Sequence, residues 1–177
     1  MEEKPPVYTV GHSTRTIGEF VGLLGSGPVE LVIDVRTVPR SRRNPQYNED
    51  VLGAELAAYD IGYMRMAALG GLRSRAPDVP SFVNGMWENP SFHNYADYAL
   101  SSEFSLALDE LLRISASQRC AIMCAEAVWW RCHRRIIADY LIASGCSVLH
   151  LMSEGRVDRA ELTRGAKIDG SKIVYPA

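Results

Sequence analysis

Leu31-Val32-Ile33 is an unbroken branched apolar run that stops at Asp34-Val35-Arg36. That is the pattern of a strand buried on both faces, which a sheet covered by helices on both sides provides. Val7-Tyr8-Thr9-Val10 is a second β-branched and aromatic run, followed by Thr16-Ile17-Gly18-Glu19 with the spacing of a capping box. Ile17, Phe20, Val21 and Leu24 then recur at helical intervals until Gly25 and Gly27 end the segment. Asn48 can cap a helix carrying Leu52, Leu56 and Tyr59, and Gly62-Tyr63-Met64-Arg65-Met66 reads as a weaker third strand. Tyr95 to Ile114 reads as helix in two pieces meeting near Ser101, with Phe104, Leu108, Leu111 and Leu112 as its buried stripe. Cys120 to Cys124 is a fourth strand, Arg131 to Ser144 a helix closed by Gly145, and Ser147 to Met152 a fifth strand. Strand-helix repeats with short connections require right-handed crossovers. The fold class expected is therefore α/β: a Rossmann-like three-layer sandwich with a mostly parallel five-stranded sheet and helices on both faces. Lys167 to Ile173, with an Asp-Gly turn between alternating residues, adds a small C-terminal hairpin.

At 177 residues the chain is expected to form a single α/β domain over 1–177, with one core and one principal cleft. Hydrophobic residues at 47% and charged residues at 23% are near globular averages, which excludes a disordered or fibrous chain. No apolar stretch approaches the roughly 20 residues of a membrane span, and Met1-Glu2-Glu3-Lys4 is acidic where a signal peptide needs a basic start. A cytoplasmic location, away from any membrane, is expected. The four cysteines, Cys120, Cys124, Cys132 and Cys146, form neither a dense disulfide framework nor a pair of CxxC knuckles, and reduced thiols are expected. A net charge of -2 argues against a globally basic nucleic-acid binder, but nine arginines gather in three short windows.

In an open parallel sheet, ligands bind beyond the carboxyl ends of the strands, and the unusual polar residues of this chain fall there. Gly11-His12-Ser13 places an imidazole and a hydroxyl just before a helix amino terminus, where free amides and the helix dipole favour an anion. Alternatively, Ser13 or Thr14 helps cap the helix and His12 simply packs. Asp34 and Arg36 end the second strand, and Arg40, Arg42 and Arg43 follow in one turn-rich loop. Guanidinium groups hold phosphate or carboxylate bidentately, so the cluster fits an anion site better than a merely solvated loop.

The segment Cys124-Ala125-Glu126 through Trp129-Trp130-Arg131-Cys132-His133-Arg134-Arg135 is the densest constellation in the chain. A cysteine beside a helix amino terminus and arginines has a lowered pKa, which makes Cys124 a candidate nucleophile. His12 and Glu126 are candidates for proton transfer. Ser13, Asp34, Arg36, Arg42, Arg43, Arg131, His133 and Arg134 are the candidate anion and substrate ligands. The spacing misses that of the phosphatase loop by one residue, because Trp130 stands where that loop has arginine. Cys132 equally fits a buried helical stripe with Ile136 and Tyr140. No metal is expected, since adjacent Cys132 and His133 would point to different faces of a helix, and no other cofactor is expected. Trp129 and Trp130 either stack on a base or plug the turn. Residues 72–90 are rich in Pro, Gly, Ser and Arg without periodicity, and a loop this long could act as a lid.

Taken together, Tyr8-Thr9-Val10-Gly11-His12-Ser13, Asp34-Val35-Arg36, Pro39 to Pro45, Leu69-Gly70-Gly71, Tyr95-Ala96-Asp97-Tyr98, Cys124-Ala125-Glu126 and Arg131-Cys132-His133-Arg134 resemble the DUF488 family of bacteria and archaea, whose function is unknown. The resemblance covers roughly Val7 to Met152, and implies an α/β fold with a motif-lined cleft but no activity. From the residues, the leading expectation is an enzyme, hydrolase or transferase, acting on a phosphate-bearing ligand such as a nucleotide or nucleic acid. A non-catalytic nucleic-acid-binding module is one alternative. A thiol redox protein is another, because Asp34-Val35-Arg36 also resembles a rhodanese strand end and Cys124 could pair with Cys132. The partners expected are an anionic small molecule or a nucleic acid, with a homodimer as a candidate assembly.

Overall fold

Strands that are apolar on both sides must be covered twice, and the computed structural model, which describes residues 3–177, shows how this chain does so. The acidic start at Met1 and Glu2 lies outside the described residues. The chain runs β1 (Val7–Gly11), α1 (Ile17–Gly25), β2 (Leu31–Asp34), α2 (Glu49–Ala57), β3 (Gly62–Arg65), α3 (Pro90–Tyr98), α4 (Ser102–Ser115), β4 (Cys120–Cys124), α5 (Arg134–Ala143), β5 (Val148–Ser153) and β6 (Arg156–Arg159). It ends in a separate hairpin, β7 (Lys167–Asp169) and β8 (Lys172–Val174). The sheet order is β3-β2-β4-β1-β5-β6, parallel throughout except for β6. The fold is thus a Rossmann-like α/β sandwich, with six strands rather than five.

Alternation along the strands divides the core into two layers. Ala121 and Met123 of β4 face Phe20, Leu23, Leu52 and Leu56 from α1 and α2. Cys120 and Ile122 face Phe104, Leu111, Ile137 and Leu141 from α4 and α5. The capping box at α1 forms as the spacing predicts: Thr16 Oγ1 accepts from the Glu19 amide at 3.1 Å, and Glu19 Oε1 accepts from the Thr16 amide at 2.9 Å. Ser101 caps α4 by accepting from the Phe104 amide, which separates α3 from α4 at the predicted place. Asn48 occupies the residue before α2, but its carboxamide accepts from Ser41 N at 2.7 Å, so it anchors the arginine-bearing loop instead of the helix. Among the described residues, no helix is long and apolar enough to cross a membrane.

Three features differ from the sequence reading, the first being α3, which starts at Pro90 and not Tyr95 because the Asn89 carboxamide caps it by accepting from Ser91 N. The helix expected from Arg131 begins at Arg134, because Trp129–Arg131 form a tight 3-10 turn and Cys132 is extended at φ -130° and ψ 150°. The sixth strand carries one apolar residue, Val157, and pairs antiparallel with β5 at the sheet edge. The register sets the site: Gly11 pairs with Cys124 and Asp34 with Met123, so the ends of β1, β2 and β4 lie level. β1 and β2 flank β4, which places the reversal of strand order there, where open α/β sheets leave their crevice.

Candidate functional site

Where β1 ends, its backbone runs against the segment leaving β4. The His12 amide donates to Cys124 O at 2.9 Å and the Ser13 amide to Ala125 O at 3.0 Å. Gly11 makes this approach feasible, since a Cβ there would collide with the Glu126 carbonyl and lie 2.9 Å from Ala127 Cα. The free amides expected at His12-Ser13 are therefore occupied, and the amino terminus of α1 is closed by its own capping box. An anion at this end of the sheet would have to be met mainly by side chains.

Arg36 is held rigidly at the carboxyl end of β2. Its Nε donates to Asp34 Oδ1 at 2.8 Å, while Nη2 donates to Asp34 Oδ2 at 2.6 Å and to Tyr47 O at 2.7 Å. Tyr63 donates its hydroxyl to the same carboxylate at 2.6 Å. Asp34 is fully buried, so it serves as the positioning partner of Arg36 and not as a ligand in its own right. Arg36 Nη1 lies 3.2 Å from His12 Nε2. A guanidinium only donates, so Nε2 carries the lone pair and Nδ1–H donates to Ser13 O at 2.8 Å. The His12 ring stacks on Tyr47 with centroids 4.1 Å apart. Burial, against the bond to Ser13 O and with added repulsion from Arg36, brings the His12 pKa down to about 4. His12 is a neutral ring with both nitrogens engaged.

The end of β4 and the start of α5 bring two sulfurs together. Cys124 Sγ and Cys132 Sγ are 2.7 Å apart, and both residues are buried. Arg134, only 1% exposed, reaches across them: its Nε donates to Cys124 Sγ at 3.0 Å, its Nη1 to Thr9 Oγ1 at 3.1 Å and its Nη2 to Glu126 O at 2.7 Å. Its backbone amide, at the start of α5, donates to Cys132 Sγ at 3.4 Å. His133 Nδ1 approaches the same sulfur at 3.4 Å, while Nε2–H donates to Val35 O at 2.8 Å. Burial raises both thiols, and the rest of the environment separates them. For Cys132 the hydrogen bond from Cys124 and the charge and amide of Arg134 prevail and bring it to about 6. Cys124, buried and bonded to Cys132, is pushed well above the ordinary thiol range. Two thiols so close lose their protons in sequence. At neutral pH the pair carries one negative charge, drawn toward Cys132 by the Arg134 amide and held between both sulfurs by the buried guanidinium on Cys124.

Two adjoining chambers open over these groups. One, of about 380 Å³, has Cys124, Cys132 and His133 at its floor, Arg131 at its edge, and Val38, Leu72 and Phe92 as apolar wall. The other, of about 500 Å³, is bordered by His12, Ser13, Thr14, Arg40, Arg43 and Asn44. Arg36, Val38, Ala125 and Glu126 border both. The sequence-predicted His12, Ser13, Arg36, Arg43, Cys124, Glu126, Arg131 and His133 are thus brought together. Arg42 borders neither chamber, and Arg134 lies behind the sulfurs, holding them instead of facing a ligand. Trp129 stacks on His150 with centroids 4.5 Å apart, which plugs the turn, whereas Trp130 is exposed. Arg73 lies over the Tyr98 ring, and Tyr95 and Tyr98 donate their hydroxyls to Leu69 O and Ala68 O, so these tyrosines pack their helix. From residues 72–90, Leu72 and Asn89 reach the first chamber. Sequence reasoning missed Val38 and Leu72, exposed apolar residues in loops with no periodicity, and Thr9, a strand residue whose polarity is invisible in a β-branched run. The role of Cys132 had a signal, its place just before a helix start.

No curated protein and no solved structure matches the chain. A match to the family described as Domain of unknown function DUF488 extends over residues 16–141, which includes the ends of β2 and β4, both cysteines of the pair and Arg134. The chain belongs to the DUF488 family.

Proposed function

We propose that this cleft is the active site of a thiol-dependent hydrolase or transferase acting on a phosphate-bearing substrate such as a nucleotide or nucleic acid. The observation that carries the reading is the sulfur pair at the floor of a cleft rimmed by arginines. A buried cysteine thiol ordinarily stays protonated, yet Cys132 is poised as an anion by Arg134, the α5 amino terminus and the thiol of Cys124. Arg40, Arg43 and Arg131 border the chambers and have no carboxylate partner among the described residues, which leaves their charge for a ligand. Glu126, at the junction of the chambers, is the carboxylate placed to move a proton. The roles expected from sequence shift within the same cluster: Cys132 is the nucleophile and Cys124 holds the proton beside it.

The test is the pH dependence of alkylation by iodoacetamide with mass-spectrometric assignment of the modified residue. Modification at Cys132 rising with a midpoint near 6, and lost in Cys132→Ser, supports the reading. A midpoint in the ordinary thiol range of about 8.5 removes the nucleophile.

The 2.7 Å approach of the two sulfurs favours a second reading, reversible dithiol chemistry. In that case the substrate is itself a disulfide. Cys132 attacks one of its sulfurs and releases the other as a thiolate, and Cys124 then displaces the mixed disulfide. A defined reduction potential for the pair, with no alkylation-sensitive turnover of phosphate-bearing compounds, selects this reading over the first.

A further inference from the structure

The sulfurs and most of the free arginines lie apart: Arg131 edges the sulfur chamber, whereas Arg40 and Arg43 do not reach it. Cys124 and Cys132 border only the smaller one, whose wall is Val38, Leu72 and Phe92. Arg40, Arg43, Ser13 and Thr14 border only the larger one. Arg36 stands between them with its guanidinium fixed by Asp34 and Tyr47, so it cannot swing a bound anion onto the thiolate. A phosphorus atom held by Arg40 and Arg43 is therefore displaced from the nucleophile, and a phosphate brought over Cys132 would meet a thiolate of its own sign, with Arg131 at the chamber's edge and apolar Val38, Leu72 and Phe92 around it. The phosphatase spacing is absent from this loop, where Trp130 and not arginine stands six positions after Cys124.

We infer that the ligand is bipartite, a nucleoside monophosphate or the end of a nucleic-acid strand. Its phosphate lies against Arg40 and Arg43, and its base lies in the sulfur chamber between Phe92 and Leu72. The inference rests on Cys132 being the working thiolate, and it places the reacting atoms at the base end, with the phosphate as a handle. The sulfur chamber suits a flat, weakly polar ring. Phe92 is stacked on Trp87 with centroids 4.9 Å apart, so its ring is fixed at the wall. Leu72 and Val38 are 69% and 58% exposed, apolar surface that a base would cover. Thr37, Asn89 and Ser91 supply a few polar groups for the edge of the ring. Apolar walls with a small number of placed polar groups are the usual composition of a small-molecule site.

The experiment measures iodoacetamide modification of Cys132 in the intact protein with inorganic phosphate, adenosine, AMP, GMP, CMP or UMP present, alongside calorimetric binding of each. At least one nucleotide is expected to slow modification about tenfold or more at saturation, because its base covers the sulfur. Inorganic phosphate is expected to bind in the arginine chamber and leave the rate within about twofold. Arg40→Ala combined with Arg43→Ala is expected to weaken binding of that nucleotide about tenfold. Protection by phosphate alone equal to that by the nucleotide would place the anion over the sulfur and overturn the inference, as would the absence of binding by every nucleotide. Failure of the underlying thiol reading shows separately: the unliganded protein would have an ordinary alkylation midpoint, whatever the calorimetry reports.

Discussion

Residue 71 and the imidazole of His133 are in mutual contact that only glycine permits: a Cβ on Gly71 would lie 2.8 Å from Cε1 of the ring and closer still to Nδ1. That packing holds Nδ1 toward Cys132 Sγ while Nε2–H is tied to Val35 O. Gly71→Ala is expected to push the ring off the sulfur. Overpacking of this kind costs about 1–3 kcal/mol. With Nε2–H given to Val35 O, Nδ1 turns a lone pair to the sulfur. Displacing the ring should therefore move the alkylation midpoint of Cys132 downward from about 6, and an unchanged midpoint would show that His133 does not act on the thiolate.

Arg134 makes a larger prediction. It is a fully buried cation serving Cys124, Thr9 and Glu126 at once, and its removal leaves these acceptors and a thiolate without a counter-charge. Arg134→Met is expected to destabilise the fold by about 3–5 kcal/mol and to return Cys132 toward the ordinary thiol range. Arg134→Lys keeps the charge but not the planar fork that spans the acceptors, so an intermediate value is expected for both quantities. Urea unfolding and pH-dependent alkylation check the pair. A midpoint near 6 in Arg134→Met would sink the assignment of Arg134 as the residue that poises the sulfurs.

The contrast between Arg134 and Arg36 explains how much of this site the sequence discloses. Arg36 follows an apolar run that ends in Asp34, so its place at a strand end and its carboxylate partner are both local and legible. Arg134 stands in Arg131-Cys132-His133-Arg134-Arg135, where each charged residue looks alike. Only the tertiary arrival of β1 and β4 decides that Arg134 is buried while Arg131 is exposed. The same distinction applies to the sheet. β1, β2 and β4 carry continuous apolar runs because helices cover both faces, whereas β6 reads Arg-Val-Asp-Arg and exists because the turn after β5 returns the chain to an open edge.

The pH dependence of stability follows from groups on both sides of neutrality. His12 and His150 are each brought down to about 4, chiefly by burial, against an ordinary value of about 6.5. Between these values the unfolded chain binds more protons, so stability falls as pH is lowered through that window, by on the order of 3 kcal/mol for each ring. Cys132 has the same sign at higher pH: its thiol is at about 6 when folded, and the unfolded thiol stays protonated to about 8.5, so stability rises across that interval. Cys120, raised to about 11 by burial, acts oppositely above the unfolded thiol value. Maximum stability is expected near pH 8 to 9. Urea midpoints measured across the range check this, and Cys132→Ser should flatten the limb between about pH 6 and 8.5 alone. Equal midpoints at about pH 5 and 7 would contradict the buried histidines.

Thr9 ties the sulfur pair, through Arg134, to its register partner His150 on the neighbouring strand β5. Its hydroxyl accepts from Arg134 Nη1 at 3.1 Å and shares a 2.6 Å hydrogen bond with His150 Nδ1, and His150 in turn stacks on Trp129. Thr9→Val preserves shape within the buried strand but leaves a guanidinium N–H and an imidazole nitrogen without partners. Each unsatisfied buried group costs about 1–3 kcal/mol. Because Arg134 loses one of the bonds that orient it, the Cys132 midpoint should rise as well. Thr9→Ser restores the hydroxyl and should recover the midpoint, leaving only the smaller loss from a missing methyl group. If valine and serine shift the midpoint equally, the effect belongs to packing and the hydroxyl has no part in holding Arg134.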